Sequence, residues 1–432
     1  MERKIVKSLL AWKNNPKKQP LLLQGARQVG KTYTLLSFGK EHYKNVVYFS
    51  LEESADIRSV FERDLDPLRI VKELAAKSSQ NIMPEDTLLI FDEIQACEQA
   101  LTSLKYFAEK APGYNIAAAG SLLGVAVNRE KYSFPVGKAD MLRMYPMDFE
   151  EFLWALGQEK LHDLIRESCE SFTPLSLHDT AMDFYKTYLV VGGMPRAVSE
   201  YAEKRDFDFV VAAQRLLNDS YIADMAKYAT PIETTRNMAV WESVPAQLAK
   251  ENHKFQYKVI KSGARSKDYE TAMDWLTAAG IINKCVNVTE GNLPLKAYEQ
   301  PDVFKVYMVD TGLLCSKLGI TANMVLHTPH SFLGFKGALA ENYIMQALVV
   351  NGIKPYYWSS LGKAEVDFLF QDRQGNVIPL EAKSADNVRA KSLRLFRDIY
   401  KPAYSIRVSA KNFGFENNIK SIPLYAVCCM PV

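Results

Sequence analysis

Short apolar runs alternate with amphipathic stretches along the first third of the chain. Leu21–Leu23 and Thr87–Phe91 are uninterrupted apolar segments, a pattern typical of strands that are buried on both faces. The segment "NIAAAGSLLGV", which begins at Asn115, predicts another buried strand. A helix-capable stretch begins at Lys31, between the first two runs. This arrangement predicts an α/β fold with a doubly wound parallel sheet.

The pattern changes to helical spacing after about residue 150. Apolar residues recur at intervals of three and four through "FDFVVAAQRLLNDSYIADMAKY", so the chain is expected to be rich in helix up to about residue 235. A further helix is predicted from the capping residue Ser266 to Ala279. Gly280 would stop this helix, and a strand would follow at Ile281. A helix, a short stop and then strands are the pattern of a winged helix.

Strand-like segments dominate the last quarter of the chain. "FKVYMVDTGLL" predicts a buried strand and a turn, and "FKGALAENYIMQAL" predicts a helix. "PYYWSS" would begin a sheet that continues in "AEVDFLFQDRQGNVIPLEAKS", which reads as two short strands joined by a turn. "KSLRLFRDIYKP" would add a closing helix. The last part of the chain is therefore expected to form a separate α/β domain.

Composition narrows the class of protein without identifying it. A chain of 432 residues is expected to form two to four domains, and 48% hydrophobic with 24% charged residues is ordinary for a soluble protein. The longest apolar stretch, Ile116–Val127, is far too short to span a bilayer, so no membrane partner is expected. The six cysteines include no C-x-x-C pair, which indicates a cytoplasmic, reducing location and no structural zinc. A net charge of +3 neither demands nor excludes nucleic acid.

A phosphate-binding loop follows the first predicted strand. "QPLLLQGARQVGKTYTLLSF" fits G-x-x-x-x-G-K-[ST] between a strand and a helix, the context that this motif requires. Backbone N–H groups of such a loop surround phosphates, and the start of the helix adds partial positive charge. Lys31 is expected to reach the β- and γ-phosphates of ATP, and the Thr32 hydroxyl to bind Mg²⁺. The residues expected to contact ATP are Gly25, Ala26, Arg27, Gln28, Val29, Gly30, Lys31, Thr32 and Tyr33.

Two further predicted strands end in polar residues that suit the same site. Asp92 and Glu93 follow the apolar run Thr87–Phe91, at the strand end where a doubly wound sheet binds its ligand. Asp92 would hold Mg²⁺ through a water, and Glu93 would polarise the attacking water. Ser121 would sense the γ-phosphate or orient that water, or would only cap the end of its strand.

These motifs resemble the AAA+ superfamily. The chain is most similar to the AAA ATPases that carry a C-terminal domain of unknown function, DUF4143, through "LLLQGARQVGKT", "LLIFDEIQ", "YPMDFEEFL" and "YLVVGGMPRAV". The resemblance implies an ATPase core followed by a small helical lid, and it allows a homo-oligomer. The expected domains are an AAA+ core (1–155), a helical lid (156–205), a winged-helix-like domain (206–325) and a nuclease-like domain (326–432).

The resemblance also suggests which arginines act on the phosphates. Arg196 in "GGMPRAV" would be the sensor 2 residue, or it would be a solvated arginine after a turn. Family members often have Gly-Arg before the "YPMDF" strand, whereas this chain has Gly137 and Lys138. Lysine lacks the planar fork of arginine, so Arg129 and Arg143 are the alternatives for an arginine finger.

The hairpin near the end of the chain carries charges in apolar strands. Glu341 on the preceding helix, then Asp367, then Glu381-Ala-Lys383, resemble in their order the PD-(D/E)xK nuclease fold. The carboxylates could bind a second divalent metal, Mg²⁺ or Mn²⁺, and Lys383 could position a water beside a scissile phosphate. The alternative is a salt-bridged hairpin in a fold that no longer cleaves.

The expected partner of the second half is DNA or another protein. A basic lead-in, "YKVIKSGARSK", would flank the winged helix and could contact DNA. The same segment could equally dock a protein. The following helix carries Asp268, Glu270 and Asp274, which argues against its deep insertion into a DNA groove. The sequence thus predicts an ATP-hydrolysing protein that acts on DNA, or an ATP-dependent switch that docks a protein partner.

Overall fold

The chain was analysed as a computed structural model that describes residues 1–121, 137–250, 254–327, 332–360, 364–383 and 391–430. It divides into two compact units. The N-terminal unit comprises Glu2–Tyr145 with Ala278–Gly280, and the C-terminal unit comprises Pro146–Thr277 and Ile281–Val432 with Met1. Over the described ranges, no helix is both long and apolar enough to cross a membrane.

The N-terminal unit alternates strands with helices, as the sequence predicts. In chain order its elements are α1 (Ile5–Asn14), β1 (Leu21–Gly25), α2 (Lys31–His42), β2 (Asn45–Ser50), α3 (Ala55–Ser59), α4 (Pro67–Ser78), β3 (Thr87–Asp92), α5 (Glu98–Lys110), β4 (Asn115–Ser121) and β5 (Asp140–Met144).

The five strands form one parallel sheet in the order β2-β3-β4-β1-β5. Strand β4 lies between β1 and β3, so the loop after β1 and the carboxylates after β3 are separated by one strand. The carboxyl ends of all five strands lie at one edge because the strands are parallel. This order gathers the ends of β1, β3 and β4 into a single crevice.

Helices cover both faces of this sheet. Alternation along β2 and β3 directs Val47 and Leu89 into a core that they share with α4 and α5. The neighbouring residues Val46 and Leu88 face the other way, toward Gly39 on α2. A Cβ built on Gly39 would lie 2.7 Å from Val46 Cγ2. The predicted doubly wound arrangement is therefore confirmed.

The C-terminal unit begins with helices and ends with a sheet. Its helices are α6 (Phe149–Ala155), α7 (Glu159–Ser171), α8 (His178–Val191), α9 (Pro195–Lys204), α10 (Phe207–Tyr228), α11 (Pro231–Leu248), α12 (Tyr257–Ile260), α13 (Ser266–Ala278), α14 (Thr311–Leu318), α15 (Ala322–His327), α16 (Leu333–Val350) and α17 (Lys391–Tyr400). Its strands are β6 (Ile282–Val288), β7 (Glu299–Met308), β8 (Tyr356–Ser360), β9 (Ala364–Gln371), β10 (Val377–Ala382), β11 (Ser405–Ser409), β12 (Gly414–Glu416) and β13 (Ile419–Pro423).

These eight strands form one mixed sheet in the order β12-β13-β11-β10-β9-β8-β6-β7. The β6–β7 hairpin, which the sequence assigns to a winged helix, joins this sheet through parallel pairing of β6 with β8. The predicted domain boundary at residue 325/326 therefore runs through a single sheet. The predicted helix from Ser266 is present and ends at Ala278. The winged-helix interpretation stays a prediction.

A junction in the C-terminal unit explains two of the sequence motifs. Gly193 O accepts from Met147 N at 2.6 Å, and Gly193 N donates to Asp310 Oδ2 at 2.6 Å. A Cβ on Gly193 would lie 1.8 Å from Met147 O, and one on Gly192 would lie 2.3 Å from Asp310 Oδ1. Both glycines are thus required by close packing. The "YPMDF" and "GGMPR" segments therefore meet at Gly193, and Gly193 is held by the buried Asp310, which also caps α14 through Leu313 N.

Candidate functional site

The loop between β1 and α2 has the backbone of a phosphate-binding loop. Gly25 ends β1, and a Cβ there would lie 2.3 Å from Met144 O, so no larger residue fits. Gly30 has a φ of +95° immediately before the first residue of α2, a conformation that favours glycine. The side chains of Ala26 and Val29 are buried, whereas Tyr33 is exposed. Ala26 and Val29 therefore offer their backbone to a ligand.

Lys31 lies inside this loop. Its Nζ donates to Gly25 O at 3.1 Å and to Ala26 O at 3.0 Å, and the residue is 7% exposed. Burial lowers the pKa of the ammonium, and the carboxylates of Glu93 and Asp92 oppose that effect. The loop carbonyls hold the ammonium where an anion in the loop would meet it.

Thr32 and Asp92 meet as the sequence predicts. Thr32 Oγ1 donates to Asp92 Oδ2 at 2.7 Å across 60 residues of sequence. The same oxygen accepts from Tyr48 Oη at 3.0 Å, which sequence reasoning did not identify. Burial, then the charge of Asp92, raises the pKa of Tyr48 well above its ordinary value, so the phenol remains a donor. The only indication of this role in the sequence is that Tyr48 places a hydroxyl within the apolar run of β2.

Glu93 adopts an unusual backbone conformation. Its φ of +50° lies in the left-handed region, which is uncommon for a residue other than glycine. Its amide donates to Asp92 Oδ1 at 3.0 Å, and Gln95 Nε2 donates to Glu93 Oε2. Strained residues of this kind concentrate at functional sites. Gln95 is a second partner that the sequence analysis missed.

The other candidates for the ATP site lie in different places. Ser121 ends β4 and pairs in register with Gly25, so it reaches the same edge of the sheet. Arg196 is an exposed residue in the first turn of α9, in the C-terminal unit. Lys138 Nζ lies 3.4 Å from Glu109 Oε1, and Arg143 stacks on the Tyr145 ring. Arg129 lies outside the described residues.

Arg3 hydrogen-bonds to the phosphate-binding loop through its guanidinium. Its Nη1 donates to Val29 O and its Nη2 to Tyr145 O, both at 2.7 Å, and the residue is buried. One guanidinium thus ties the phosphate-binding loop to the chain that follows β5. Arg3 stands between Glu2 and Lys4 in a charged segment, which gave no signal of this role in the sequence.

The residues at the ends of β1 and β3 fit Mg²⁺ and a nucleoside triphosphate. A hydroxyl and a carboxylate 2.7 Å apart are hard oxygen donors of the kind that Mg²⁺ prefers. The buried ammonium of Lys31 and the glycine backbone of the loop suit a polyphosphate. Thr32 and Asp92 would hold the metal, and the loop would hold the phosphates.

A second group of charges surrounds Lys305 in the C-terminal sheet. This lysine on β7 is fully buried, and its Nζ lies 2.7 Å from Glu365 Oε1 and 3.8 Å from Glu341 Oε2. Burial lowers the pKa of Lys305, but Glu341, Glu365 and Asp367 outweigh burial and raise the net pKa above its ordinary value. Tyr307 Oη also donates to Glu341 Oε2, at 3.1 Å. Sequence reasoning missed Lys305, because β7 is remote in sequence from the hairpin.

The four residues of the nuclease hypothesis belong to this network. Burial and then Glu341 raise the pKa of Asp367 to about 7, against the opposing charges of Lys305 and Lys383. Asp367 Oδ2 accepts from Ala382 N at 2.8 Å, and Lys383 Nζ lies 2.9 Å from Glu381 Oε1. Across the described residues, no three Asp, Glu, His or Cys side chains converge in a way that could hold a metal ion. The charges are arranged as ion pairs.

Three family models match successive parts of the chain. Residues 17–153 match an AAA domain, residues 182–324 match a domain of unknown function (DUF8612), and residues 336–427 match a domain of unknown function (DUF4143). A comparison with curated proteins found no match.

Several solved structures are similar to this chain at low sequence identity. The Walker-type ATPase PABY2304 of Pyrococcus abyssi is 14% identical, with a TM-score of 0.45, and the match covers 73% of this chain and 95% of that one. The Aeropyrum pernix Orc1 protein in complex with DNA is 12% identical, with a TM-score of 0.30 and coverages of 79% and 91%. The Thermotoga maritima RuvB Holliday junction branch migration motor is 14% identical, with a TM-score of 0.31 and coverages of 66% and 89%. At these scores no residue role or partner is transferred.

The site and the family models agree on the domains of this chain. The phosphate-binding loop, the Asp92–Glu93 pair and the parallel sheet form the N-terminal unit, where the AAA model matches. The DUF4143 match covers strands β8 to β13 of the mixed sheet, and the DUF8612 match covers β6 and β7. The chain therefore carries an AAA domain match in its N-terminal part and a DUF4143 match in its C-terminal part, the combination that the sequence motifs predict.

Proposed function

We propose that this protein binds Mg²⁺ and ATP at the loop after β1 and hydrolyses the bond between the β- and γ-phosphates, releasing ADP and inorganic phosphate. The observation that carries the proposal is the 2.7 Å contact of Thr32 Oγ1 with Asp92 Oδ2, beside the buried ammonium of Lys31. Three chemical functions that phosphoryl transfer requires thus come from strand ends at one edge of the sheet: a cation for the phosphates, oxygen ligands for a metal, and a carboxylate next to them.

Each residue has a distinct role in this proposal. Lys31 neutralises the phosphates, and the amide groups of the loop orient them. Glu93 accepts the proton of the attacking water, while Gln95 fixes the orientation of its carboxylate. Thr32 and Asp92 would hold Mg²⁺, which would supply positive charge for the transferred phosphoryl group. Ser121, at the end of β4, orients the water or senses the γ-phosphate, and Arg196 is the proposed sensor 2 residue.

Two substitutions separate binding from hydrolysis. Glu93→Gln is expected to keep ATP affinity and to lower the turnover number by roughly 10²–10⁴-fold, because an amide cannot accept the proton. Lys31→Ala is expected to abolish tight ATP binding. Calorimetric titration with ATP and steady-state phosphate release measure the two effects. Wild-type turnover by the Glu93→Gln protein would remove Glu93 from the catalytic role.

We also propose that the charged cluster around Lys305 is an ion-pair network with no second divalent metal. The ammonium of Lys305 lies between Glu365 and Glu341, where a metal would compete with it, and Lys383 neutralises Glu381. This arrangement favours the salt-bridged alternative over phosphodiester cleavage. A buried charge left without its partner is strongly destabilising, which makes the proposal testable.

The test combines metal binding with stability. Lys305→Met should lower the free energy of unfolding by about 3–5 kcal/mol, because buried carboxylates lose their cation. Lys305→Met combined with Glu365→Gln should recover part of that loss. Titration of the wild-type protein with Mn²⁺ should show only the ATP-site metal. A second Mn²⁺ site that disappears in Asp367→Asn, with cleavage of plasmid DNA, would restore the nuclease interpretation.

For the C-terminal unit we propose DNA as the partner. Four cations of the segment before and at the start of α13 are exposed: Lys258, Lys261, Arg265 and Lys267. Exposed cations favour a phosphate backbone. ATPase activity that rises with added DNA supports this partner. Activity indifferent to DNA, with a protein that co-purifies, would favour the alternative of an ATP-dependent docking switch.

A further inference from the structure

A basic cavity lies on the C-terminal sheet, away from the charged cluster around Lys305. It has a volume of about 460 Å³ and is bounded by the end of α17 and by strands β11 and β13. Its polar lining comprises four basic side chains and one carboxylate: Arg394, Arg397, Lys401, Arg407 and Asp398. Such a volume is typical of a site for a small ligand or for one unit of a polymer.

The cations of this cavity are only partly neutralised. Arg394 Nε lies 4.0 Å from Asp398 Oδ2, at the limit of an ion pair. Within the described part of the chain, Arg397, Lys401 and Arg407 have no ion pair, and the buried Nε of Arg407 has no hydrogen-bond partner. Arg397 Nη2 donates to Asn417 O at 2.5 Å, which fixes its guanidinium at the cavity wall. The site therefore carries an excess of positive charge on side chains that come from two different elements.

The lining residues are suited to a phosphate backbone. Three of the four cations are arginines, whose forked donors match the oxygens of a phosphate. Leu393 and Ile419 form an apolar wall beside them, against which a sugar or base can pack. Arg394 is 86% exposed at its side chain, so the cavity is open to a polymer that continues beyond it.

We propose that this basic cavity, formed by α17, β11 and β13, binds phosphate groups of a nucleic-acid strand. The inference rests on DNA as the proposed partner, and it names the surface that holds the phosphates. Contacts to phosphates carry no sequence information, so the cavity contributes affinity and position.

The experiment compares two pairs of cations. The variant Arg394→Gln with Lys401→Gln removes two exposed cations of the cavity, and Lys160→Gln with Arg215→Gln removes two exposed cations elsewhere in the same unit. The probes are fluorescent single-stranded and double-stranded DNA, with polyglutamate as an acidic competitor. Anisotropy titrations over a range of salt concentrations give the affinity and its salt dependence. Melting temperatures check that all proteins are folded.

The cavity variant should bind DNA roughly tenfold or more weakly, and its log–log salt slope should fall by about 0.9 for each lost phosphate contact on duplex DNA. The control pair should lose less affinity. Equal losses in both pairs, or wild-type affinity in the cavity variant, would overturn the cavity as the binding surface while leaving DNA as the partner. Polyglutamate binding at the cavity without DNA binding would overturn both proposals, and wild-type protein that binds no DNA would overturn the partner itself.

Discussion

Asp92 accepts hydrogen bonds on both carboxylate oxygens, from three groups in different parts of the N-terminal unit. Thr32 Oγ1 and Tyr48 Oη donate to one oxygen, and the Glu93 amide donates to the other. A metal ligand held in this way keeps one orientation when its metal binds. Removal of a group that hydrogen-bonds to a metal ligand commonly lowers the metal affinity by about 10–100-fold. Tyr48 is therefore a positioning residue for the proposed Mg²⁺ site.

Tyr48→Phe should raise the Mg²⁺ concentration needed for half-maximal ATP hydrolysis by roughly tenfold, because Asp92 loses one donor. The turnover number at saturating Mg²⁺ should stay close to that of the wild type. Tyr106→Phe on α5 removes a phenolic hydroxyl elsewhere in the unit and should change neither quantity. An unchanged Mg²⁺ requirement in Tyr48→Phe would assign Tyr48 a purely structural role.

The sequence identifies those site residues that stand in local motifs and misses those that act through long-range contacts. Lys31, Thr32 and Asp92 stand in local patterns, where neighbours in sequence define the loop or the strand end. Tyr48 and Arg3 act through contacts with residues more than 20 positions away. Their roles depend on strand order, which no local pattern encodes. The same reason conceals Lys305, whose partners are on α16 and β9.

The elements of the C-terminal unit are joined by the buried carboxylate of Asp310. It accepts from Gly193 N and from Leu313 N, and so connects the turn before α9 with the start of α14. Burial raises the pKa of Asp310 to about 6, although the donors Gly193, Leu313 and Gly312 oppose the rise. The folded protein therefore binds a proton at this residue more tightly than the unfolded chain does.

This shift predicts a pH dependence of stability. Between the ordinary pKa of 3.8 and about 6 the folded state retains the proton that the unfolded chain has lost. The contribution of Asp310 to stability should thus fall by about 3 kcal/mol as pH rises through this window. Asp310→Asn does not titrate. The difference in unfolding free energy between wild type and variant should shrink over the same range.

Chemical denaturation followed by tryptophan fluorescence can measure this difference, because Trp154, Trp241, Trp275 and Trp358 lie in the C-terminal unit. Comparing two proteins at each pH cancels the contributions of the other carboxylates. A difference that is constant from pH 4 to pH 7 would show that Asp310 has an ordinary pKa in the folded protein.

For the whole molecule, the sequence predicts the two sheet-bearing halves but not the complete membership of the second sheet. The parallel ATPase sheet follows from apolar runs and their motifs, and its doubly wound form is confirmed. The hairpin of β6 and β7 has the same local pattern whether it forms a wing or extends a sheet. Its pairing with β8 joins residues about 70 positions apart, such as Val286 and Tyr356. Only the tertiary structure distinguishes these cases.

That pairing has a consequence for how the chain folds as it leaves the ribosome. β6 and β7 are synthesised first, and the edge of β6 stays without its partner until the chain as far as β8 has emerged. Unpaired strand edges are prone to pair with other chains, and distant pairings close slowly. The helices α14 to α16 are made in this interval, and α14 packs on β7. Local helix packing can therefore shelter the hairpin during synthesis before the last strands complete the sheet.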